Sequence, residues 1–475
     1  MKHKWNGLVS LLLLGGASCA SGRVIRYAPA QVPAEKPAAR IFLVGDGGIV
    51  SFEESKVPEK TDIAEQKVEQ RQPATPAPLP PPPLPPGWLP WARPTGGEKK
   101  AFDDIVNETI TLAIKAARTS DLLRALRLDA ADRNSLTPGA PAPLIVWLGD
   151  NVYDHGVPRY PGANGYKDGQ LTPIGYEYVQ AATAVLVQAQ VAIDAKADAV
   201  FVAGNHDWDS AVTQGPEGRE RVIEEGLVIE RWVKTLRQHN AVPAGVDVRL
   251  LPKGGCPGPE VVRLPIGGSA SALVAAVDTE WLITEDPNKG CIEGGNCHAC
   301  YPSSHTKVYE ALNKVAREAS ERDVMIVAAH HPIRTYGVHG GNIFWSPASW
   351  PRWLPLSQED MAHPRNKAMV RGLKSAWDPK NGQPLLYAAG HEHNLQLLRE
   401  SERGPYVAVS GAASKTSPVR AGSRALFTAQ ENGYMVLDLY ADGRVQMRIV
   451  EVASEKEILR HPPVELRGPM KRPAN

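Results

Sequence analysis

Leu144-Ile-Val-Trp-Leu-Gly-Asp-Asn-Val-Tyr153 changes character at its midpoint. Its first half is five apolar residues in a row, entered through the breaker Pro141-Ala-Pro143, and reads as a buried strand. Gly149 then lets the backbone turn, and Asp150 and Tyr153 are delivered beyond the strand's carboxyl end. In open α/β sheets that edge is where ligands collect. A carboxylate and a phenol on one loop can converge on a single point, so what matters is which other groups arrive there.

The same pattern recurs four times. Arg40-Ile-Phe-Leu-Val44 runs into Gly45-Asp-Gly-Gly48, and Asp198-Ala-Val-Phe-Val-Ala203 into Gly204-Asn-His-Asp207. Asp323-Val-Met-Ile-Val-Ala-Ala329 ends in His330-His-Pro332, and Pro384-Leu-Leu-Tyr-Ala-Ala389 in Gly390-His-Glu-His393. Helical spacing fills the gaps at Phe102 to Leu128, Gly175 to Ala195, Glu217 to Arg237 and Ser304 to Ser320. A further strand is expected at Ala272 to Val277. The tail reads as strands at Tyr406 to Val409, Tyr434 to Tyr440 and Val445 to Val450, the last two joined by the hairpin signal Ala441-Asp-Gly. Strands alternating with helices predict an α/β fold with central mixed β-sheets flanked by helices and an antiparallel portion at the C-terminus.

The 475 residues, 43% hydrophobic and 22% charged, describe an ordinary globular chain. A net charge of +1 gives no reason to expect nucleic acid as a partner. Lys2 and Lys4, the apolar run Leu8 to Leu14 and the small residues after it read as a bacterial-type export signal over 1–19. Cys19 fits a lipoprotein cleavage box with Gly16 where an aliphatic residue is preferred; the alternative is ordinary cleavage after Ser18-Cys-Ala20. Either way a cell-envelope location, periplasmic or lipid-anchored at Cys19, is expected. Of the remaining cysteines, Cys256, Cys291, Cys297 and Cys300, an oxidising compartment favours two disulfides stapling an insertion over 254–303. The alternative is a zinc site on Cys291, Cys297, His298 and Cys300, although their spacing fits no established module. A Pro-rich insertion over 53–100 can only be polyproline II where the prolines run together, as a solvated spacer or a recruiting site for a partner module.

Taken singly, the strand-end residues have plain explanations: Gly-Asp-Gly-Gly is usually a turn, Asn-His a helix cap and a buried His a core residue. Repetition at five strand exits is harder to explain that way. Asp46, Asp150, Tyr153, Asn205, His330, His391 and His393 combine hard oxygen donors with imidazoles and lack a thiolate, which suits iron, zinc or manganese. Seven ligands are too many for one tetrahedral ion and enough for two if one carboxylate bridges.

In order and spacing, these five motifs resemble those of the calcineurin-like metallophosphoesterases, and more narrowly the purple acid phosphatase branch, over roughly 40–55 and 143–440. The wider superfamily has Asp-x-His in its first motif. Gly48 stands where that His would be, and Tyr153 supplies the replacement donor, as in the branch. Ala329 replaces a Gly common among relatives. The resemblance implies a four-layer α/β/β/α sandwich, here one catalytic domain over 40–455 without the extra N-terminal β-domain of the large plant-type enzymes. It implies two metal ions: Fe(III) on Asp46, Asp150, Tyr153 and His393, and Fe(II), Zn(II) or Mn(II) on Asp150, Asn205, His330 and His391. Family members use metal-bound hydroxide as nucleophile. His206 would stand beside the substrate phosphate, Asp207 would orient it, and His339 matches a second substrate-side His or is simply a loop residue. His331 and His363 read as bystanders. The activity implied is hydrolysis of phosphate monoesters. A phosphodiesterase or nucleotide pyrophosphatase on the same site, or a non-catalytic envelope binding lipoprotein, are the alternatives.

Overall fold

The computed structural model describes residues 23–48, 104, 109–111, 114–115, 120–168, 170–209, 216–284, 300–340, 360–377, 382–454 and 456–470. The export signal with Cys19, the Pro-rich insertion, and Cys291, Cys297 and His298 lie outside the described residues.

Two mixed sheets carry the chain. One runs, in spatial order, Glu457–Arg460, Val445–Ser454, Gly433–Leu439, Ala39–Val44, Leu144–Leu148, Asp198–Val202 and Val248–Leu250, with Val464–Arg467 pairing to Val445–Ser454. The other runs Val24–Ile25, Ala425–Ala429, Leu395–Arg399, Tyr406–Ser410, Leu386–Ala389, Val324–Ala328, Ala270–Ala276 and Glu260–Gly267. Each has a parallel centre. Ala39–Val44, Leu144–Leu148, Asp198–Val202 and Val248–Leu250 are mutually parallel, as are Ala270–Ala276, Val324–Ala328, Leu386–Ala389 and Tyr406–Ser410.

Both faces of these strands are covered, which is why they read as unbroken apolar runs rather than alternating ones. Ile41, Leu43, Leu144, Val146, Leu148, Val200 and Val202 point inward and pack with Ala272, Val274, Ile326, Ala328, Leu386 and Ala388 of the facing sheet. Their neighbours Phe42, Ile145, Trp147 and Phe201 point outward into a core shared with helices Asp121–Ala131, Pro173–Ala195 and Pro216–Gln238. Helices His305–Glu318 and Pro364–Ser375 lie outside the second sheet, where Trp377 meets Tyr387 at 6.3 Å between ring centroids. The order of layers is helix, sheet, sheet, helix.

Several boundaries differ from expectation for local reasons. The helix expected over Phe102 to Leu128 restarts at Asp121, because Ser120 takes an extended N-cap conformation. Pro173–Ala195 begins two residues early: Thr172 caps Gly175 N at 3.2 Å and Pro173 occupies the first turn, where a missing N–H costs nothing. The expected 254–303 insertion is corrected in its first part, since Glu260–Gly267 and Ala270–Ala276 form a hairpin within the second sheet. Cys256 and Cys300 form a disulfide across a sequence separation of 44, so Cys300 offers no free thiolate for the zinc alternative. Among the described residues no helix is long and apolar enough to cross a membrane.

Candidate metal centre

The parallel strands of both sheets end at one edge, and short bonds tie those ends together. Asp46 N donates to Gly149 O at 2.9 Å within one sheet, and Gly390 N to His330 O at 3.0 Å within the other. His330 Nδ1 donates to Leu148 O at 2.8 Å, joining the two sheets and leaving Nε2 for the site. Three residues turn sharply at this edge: Asp46, Asp150 and His391 have φ of 59°, 52° and 70°. Such left-handed backbone costs a non-glycine residue on the order of 1 kcal/mol or more, and it concentrates at functional sites.

All seven expected ligands come together, in two groups. Around the Tyr153 hydroxyl stand Asp150 Oδ2 at 3.0 Å, Asp46 Oδ1 at 3.1 Å and His393 Nε2 at 3.0 Å, with His393 Nε2 3.4 Å from Asp46 Oδ1. In the second group His330 Nε2 is 2.9 Å from Asn205 Oδ1, which is 3.1 Å from His391 Nδ1; the two imidazole nitrogens are 3.3 Å apart. Asp150 belongs to both, because its Oδ1 lies 3.3 Å from His330 Nε2. Ligand atoms about 2.1 Å from a shared ion are about 3.0 Å apart in an octahedron and about 3.4 Å in a tetrahedron. The observed spacings match those of donors arranged around an ion, so the residues fit metal binding.

Two glycines make the crowding feasible. A Cβ on Gly204 would lie 2.3 Å from Asp150 Oδ1, and one on Gly390 2.6 Å from Asp46 Oδ2. Gly48 is crowded in the same way. A Cβ there would come within 2.6 Å of Asn151 C and Val152 N, so a side chain at 48 would collide with the loop that delivers Tyr153. The space at 48 is closed by the backbone that leads to Tyr153.

Electrostatics point the same way. Burial raises the Asp46 carboxyl and outweighs the lowering bond to His393, with the nearby Asp150 adding to the rise. Burial also pushes Asp150 upward, but His330 and His206, with the bonds from His206 N and Tyr153, outweigh it and hold Asp150 below its ordinary value. Tyr153 is raised by burial and then by Asp150 and Asp46. His391 falls well below its usual range through burial and the neighbouring imidazoles. Anions crowd one side and imidazoles the other, and cations seated among them would relieve each conflict.

The remaining sequence assignments separate. His206 is at the rim: its N donates to Asp150 Oδ1 at 3.0 Å, its Nδ1 to Asp154 O at 2.8 Å, and its ring lies 4.5 Å from that of Tyr153. Asp207 does not orient it. Its fully buried carboxylate instead accepts from Gly204 N at 2.7 Å, Val152 N at 3.0 Å and Asn151 N at 3.2 Å, bolting two ligand loops together. His339 stands with its ring 4.2 Å from that of His391 and its Nδ1 3.1 Å from Asp360 Oδ1. His363 caps a helix by accepting from Arg365 N at 3.3 Å. His331 is nearer than a bystander should be: it is buried, its ring is 4.6 Å from that of His391, and its Nδ1 is 3.0 Å from Thr279 Oγ1. His330, His331 and His391 form one group of potential ligands, and Asp46, Asp150 and His330 another.

Glu392 was missed because it reads as a spacer between two ligand histidines. Buried, it accepts from Val338 N at 2.8 Å, His339 N at 2.9 Å and Thr335 Oγ1 at 3.0 Å. It therefore fixes the loop that carries His339.

Fold and donor set define an α/β protein with a candidate metal centre at the shared edge of two sheets. No protein-family model matches the chain, and no curated protein does. Among solved structures it is similar to "GAP50 the anchor in the inner membrane complex of Plasmodium", at 13% identity and a TM-score of 0.46 over 91% of this chain and 90% of that one. Purple acid phosphatase PPD1 from yellow lupin (Lupinus luteus) seeds aligns at 11% identity and a TM-score of 0.40 over 90% of this chain and 54% of its own, so the chain spans about half the lupin protein. PhoD aligns at 12% identity and a TM-score of 0.41 over 72% of this chain and 66% of its own. Likenesses of this size say nothing about individual residues, and the chemistry rests on the donor atoms themselves.

Proposed function

We propose that the protein is an exported, purple acid phosphatase-like phosphoesterase that hydrolyses phosphate monoesters at a mixed-valent or heterometal pair, Fe(III) with Fe(II), Zn(II) or Mn(II). One observation carries this reading: two clusters of oxygen and imidazole donors joined through Asp150, whose Oδ2 faces Tyr153 and whose Oδ1 faces His330. Asp46, Asp150, Tyr153 and His393 would hold the trivalent ion, and Asp150, Asn205, His330 and His391 the divalent one. Ions held there supply Lewis-acid activation of water and neutralise phosphoryl charge.

The chain's own residues do the rest. His330 is locked by Leu148 O so that Nε2 serves the site. His206 keeps an Nδ1 proton on Asp154 O, and Nε2 would donate to a substrate or leaving-group oxygen from the imidazolium form. His339, held by Glu392 and Asp360, flanks the other side. Export is supported by Lys2, Lys4 and the apolar run after them, with Cys19 as the point of lipid attachment.

The test is metal analysis and hydrolysis of an aryl phosphate by purified, aerobically handled protein. Bound iron, a visible tyrosinate-to-iron(III) band and turnover are expected; Asp150→Ala should lose metal and turnover, and Tyr153→Phe the band. Full turnover by Asp150→Ala would sink the two-ion reading.

A further inference from the structure

Lys415 has no role so far. Its Nζ sits 4.0 Å from the centroid of the Tyr153 ring, and the residue is half-buried. Among the described residues no carboxylate forms an ion pair with it, although lysines elsewhere do so, as Lys374 does with Glu400 at 2.7 Å. The loop that carries it is fastened to the site. Ser414 Oγ donates to Asp46 O, Ala413 N to Gly45 O at 3.2 Å, and Ser417 N to His393 O at 2.6 Å. Two of these acceptors belong to proposed ligands of the trivalent ion. An unpaired surface lysine would ordinarily extend into water; this one is held against an aromatic face by a loop with little freedom to move.

The opposite end of Tyr153 explains why a cation belongs there. Its hydroxyl oxygen stands 3.0 Å from Asp150 Oδ2 and 3.1 Å from Asp46 Oδ1, two carboxylates that repel any negative charge on the ring system. As a ligand to a trivalent ion the phenol is a phenolate, with its charge spread over oxygen and ring. A positive charge against the ring face attracts that density, as in other cation–π contacts.

We propose that Lys415 is a positioning residue for the Tyr153 ligand, a fixed cation that stabilises the phenolate against its two carboxylate neighbours and tunes how strongly it donates to an ion on that side of the site. This rests on the iron(III)–tyrosinate reading above. Because Nζ lies against the ring, it lowers the ligand's filled orbitals more than those of an ion beyond the hydroxyl. The charge-transfer band is therefore at higher energy with Lys415 than without it.

The test compares iron-loaded wild type with Lys415→Met, which keeps the apolar stem, and Lys415→Arg, which keeps the charge. The Met variant should move the visible band to longer wavelength. The Arg variant should restore its position. Zinc content of the His330, Asn205 and His391 side should stay unchanged in both, which separates tuning of Tyr153 from a general loosening. A band unmoved in Lys415→Met, or moved as far in Lys415→Arg, overturns the proposal while leaving the iron reading intact. Iron-loaded wild type with no visible band overturns the iron reading, and the role of Lys415 falls with it.

Discussion

A methyl group on Gly204 would stand 2.3 Å from Asp150 Oδ1, 2.4 Å from Asp150 N and 2.9 Å from His330 Cε1. Ordinary carbon–oxygen contact is about 3.3 Å, so Gly204→Ala must displace the Asp150 carboxylate or its strand end by about 1 Å. Overpacking of this kind costs roughly 1–3 kcal/mol of stability. The loss at the site should be larger, because Asp150 Oδ1 is held by His206 N at 3.0 Å and faces His330 Nε2 at 3.3 Å. A misplacement of about 1 Å at a positioned group can cost on the order of 100-fold in rate. A similar loss of metal affinity would remove about 2.7 kcal/mol of metal-dependent stabilisation. The assay is thermal unfolding with chelator and with metal, alongside kcat/KM on an aryl phosphate. The gain in Tm on adding metal should shrink far more than the chelated Tm falls. Gly139→Ala is the control: its φ is 78° and nothing lies within 4 Å of the added Cβ, so it should cost roughly 1 kcal/mol through backbone strain and leave metal binding alone. Gly204→Ala with wild-type metal content and rate would refute the placement of Asp150 argued here.

Other outcomes follow from single side chains. His206→Ala should keep its metal and lose roughly 100-fold or more in kcat, as for removal of a general acid; metal loss would move it into the ligand set. Glu392→Ala unseats three donors and should cost about 1–3 kcal/mol and lower kcat/KM on the His339 side while metal content holds; unchanged kcat/KM would detach His339 from the reaction. Burial, partly offset by bonds from Trp281 N and the Trp208 indole, pushes Asp278 from 3.8 up to about 6. A raised acid contributes stability that is complete below its unfolded value and is lost as pH rises through the folded one, here about 3 kcal/mol. Relative to Asp278→Asn, wild type should therefore lose about that much unfolding free energy between roughly pH 4 and pH 7, and a flat difference would show that burial is not the cause.

The strand ends were legible because both faces of the central strands are covered, which forces an apolar run up to the turn and makes any polar residue beyond it conspicuous. Tyr153 and Gly48 could be read as a pair for a steric reason that the structure supplies: the space denied to a side chain at 48 is filled by the 151–152 backbone. Less visible were groups whose task is toward the protein. Asp207 follows His206 in sequence, but neighbours at a turn diverge, and its carboxylate serves backbone amides that leave no trace in residue type. Glu392 was hidden between two ligands for the same reason. Glu260–Gly267 escaped notice because it is an outer strand with Pro265 and a half-exposed alternating pattern, where only one face demands apolar residues. Leu395–Arg399 starts directly after the ligand loop, with no turn signal to separate them.

The strand that ends in Asp46 is flanked on one side by Leu144–Leu148 and on the other by Gly433–Leu439, with Leu43 opposite Met435. The first ligand in the chain is thus seated only when one of the last strands arrives. A polypeptide synthesised from its N-terminus would present Asp46 early and hold its strand incomplete until the C-terminal hairpin, Gly433–Leu439 with Val445–Ser454, has paired. A chain cut short before that hairpin would be unable to close the candidate centre.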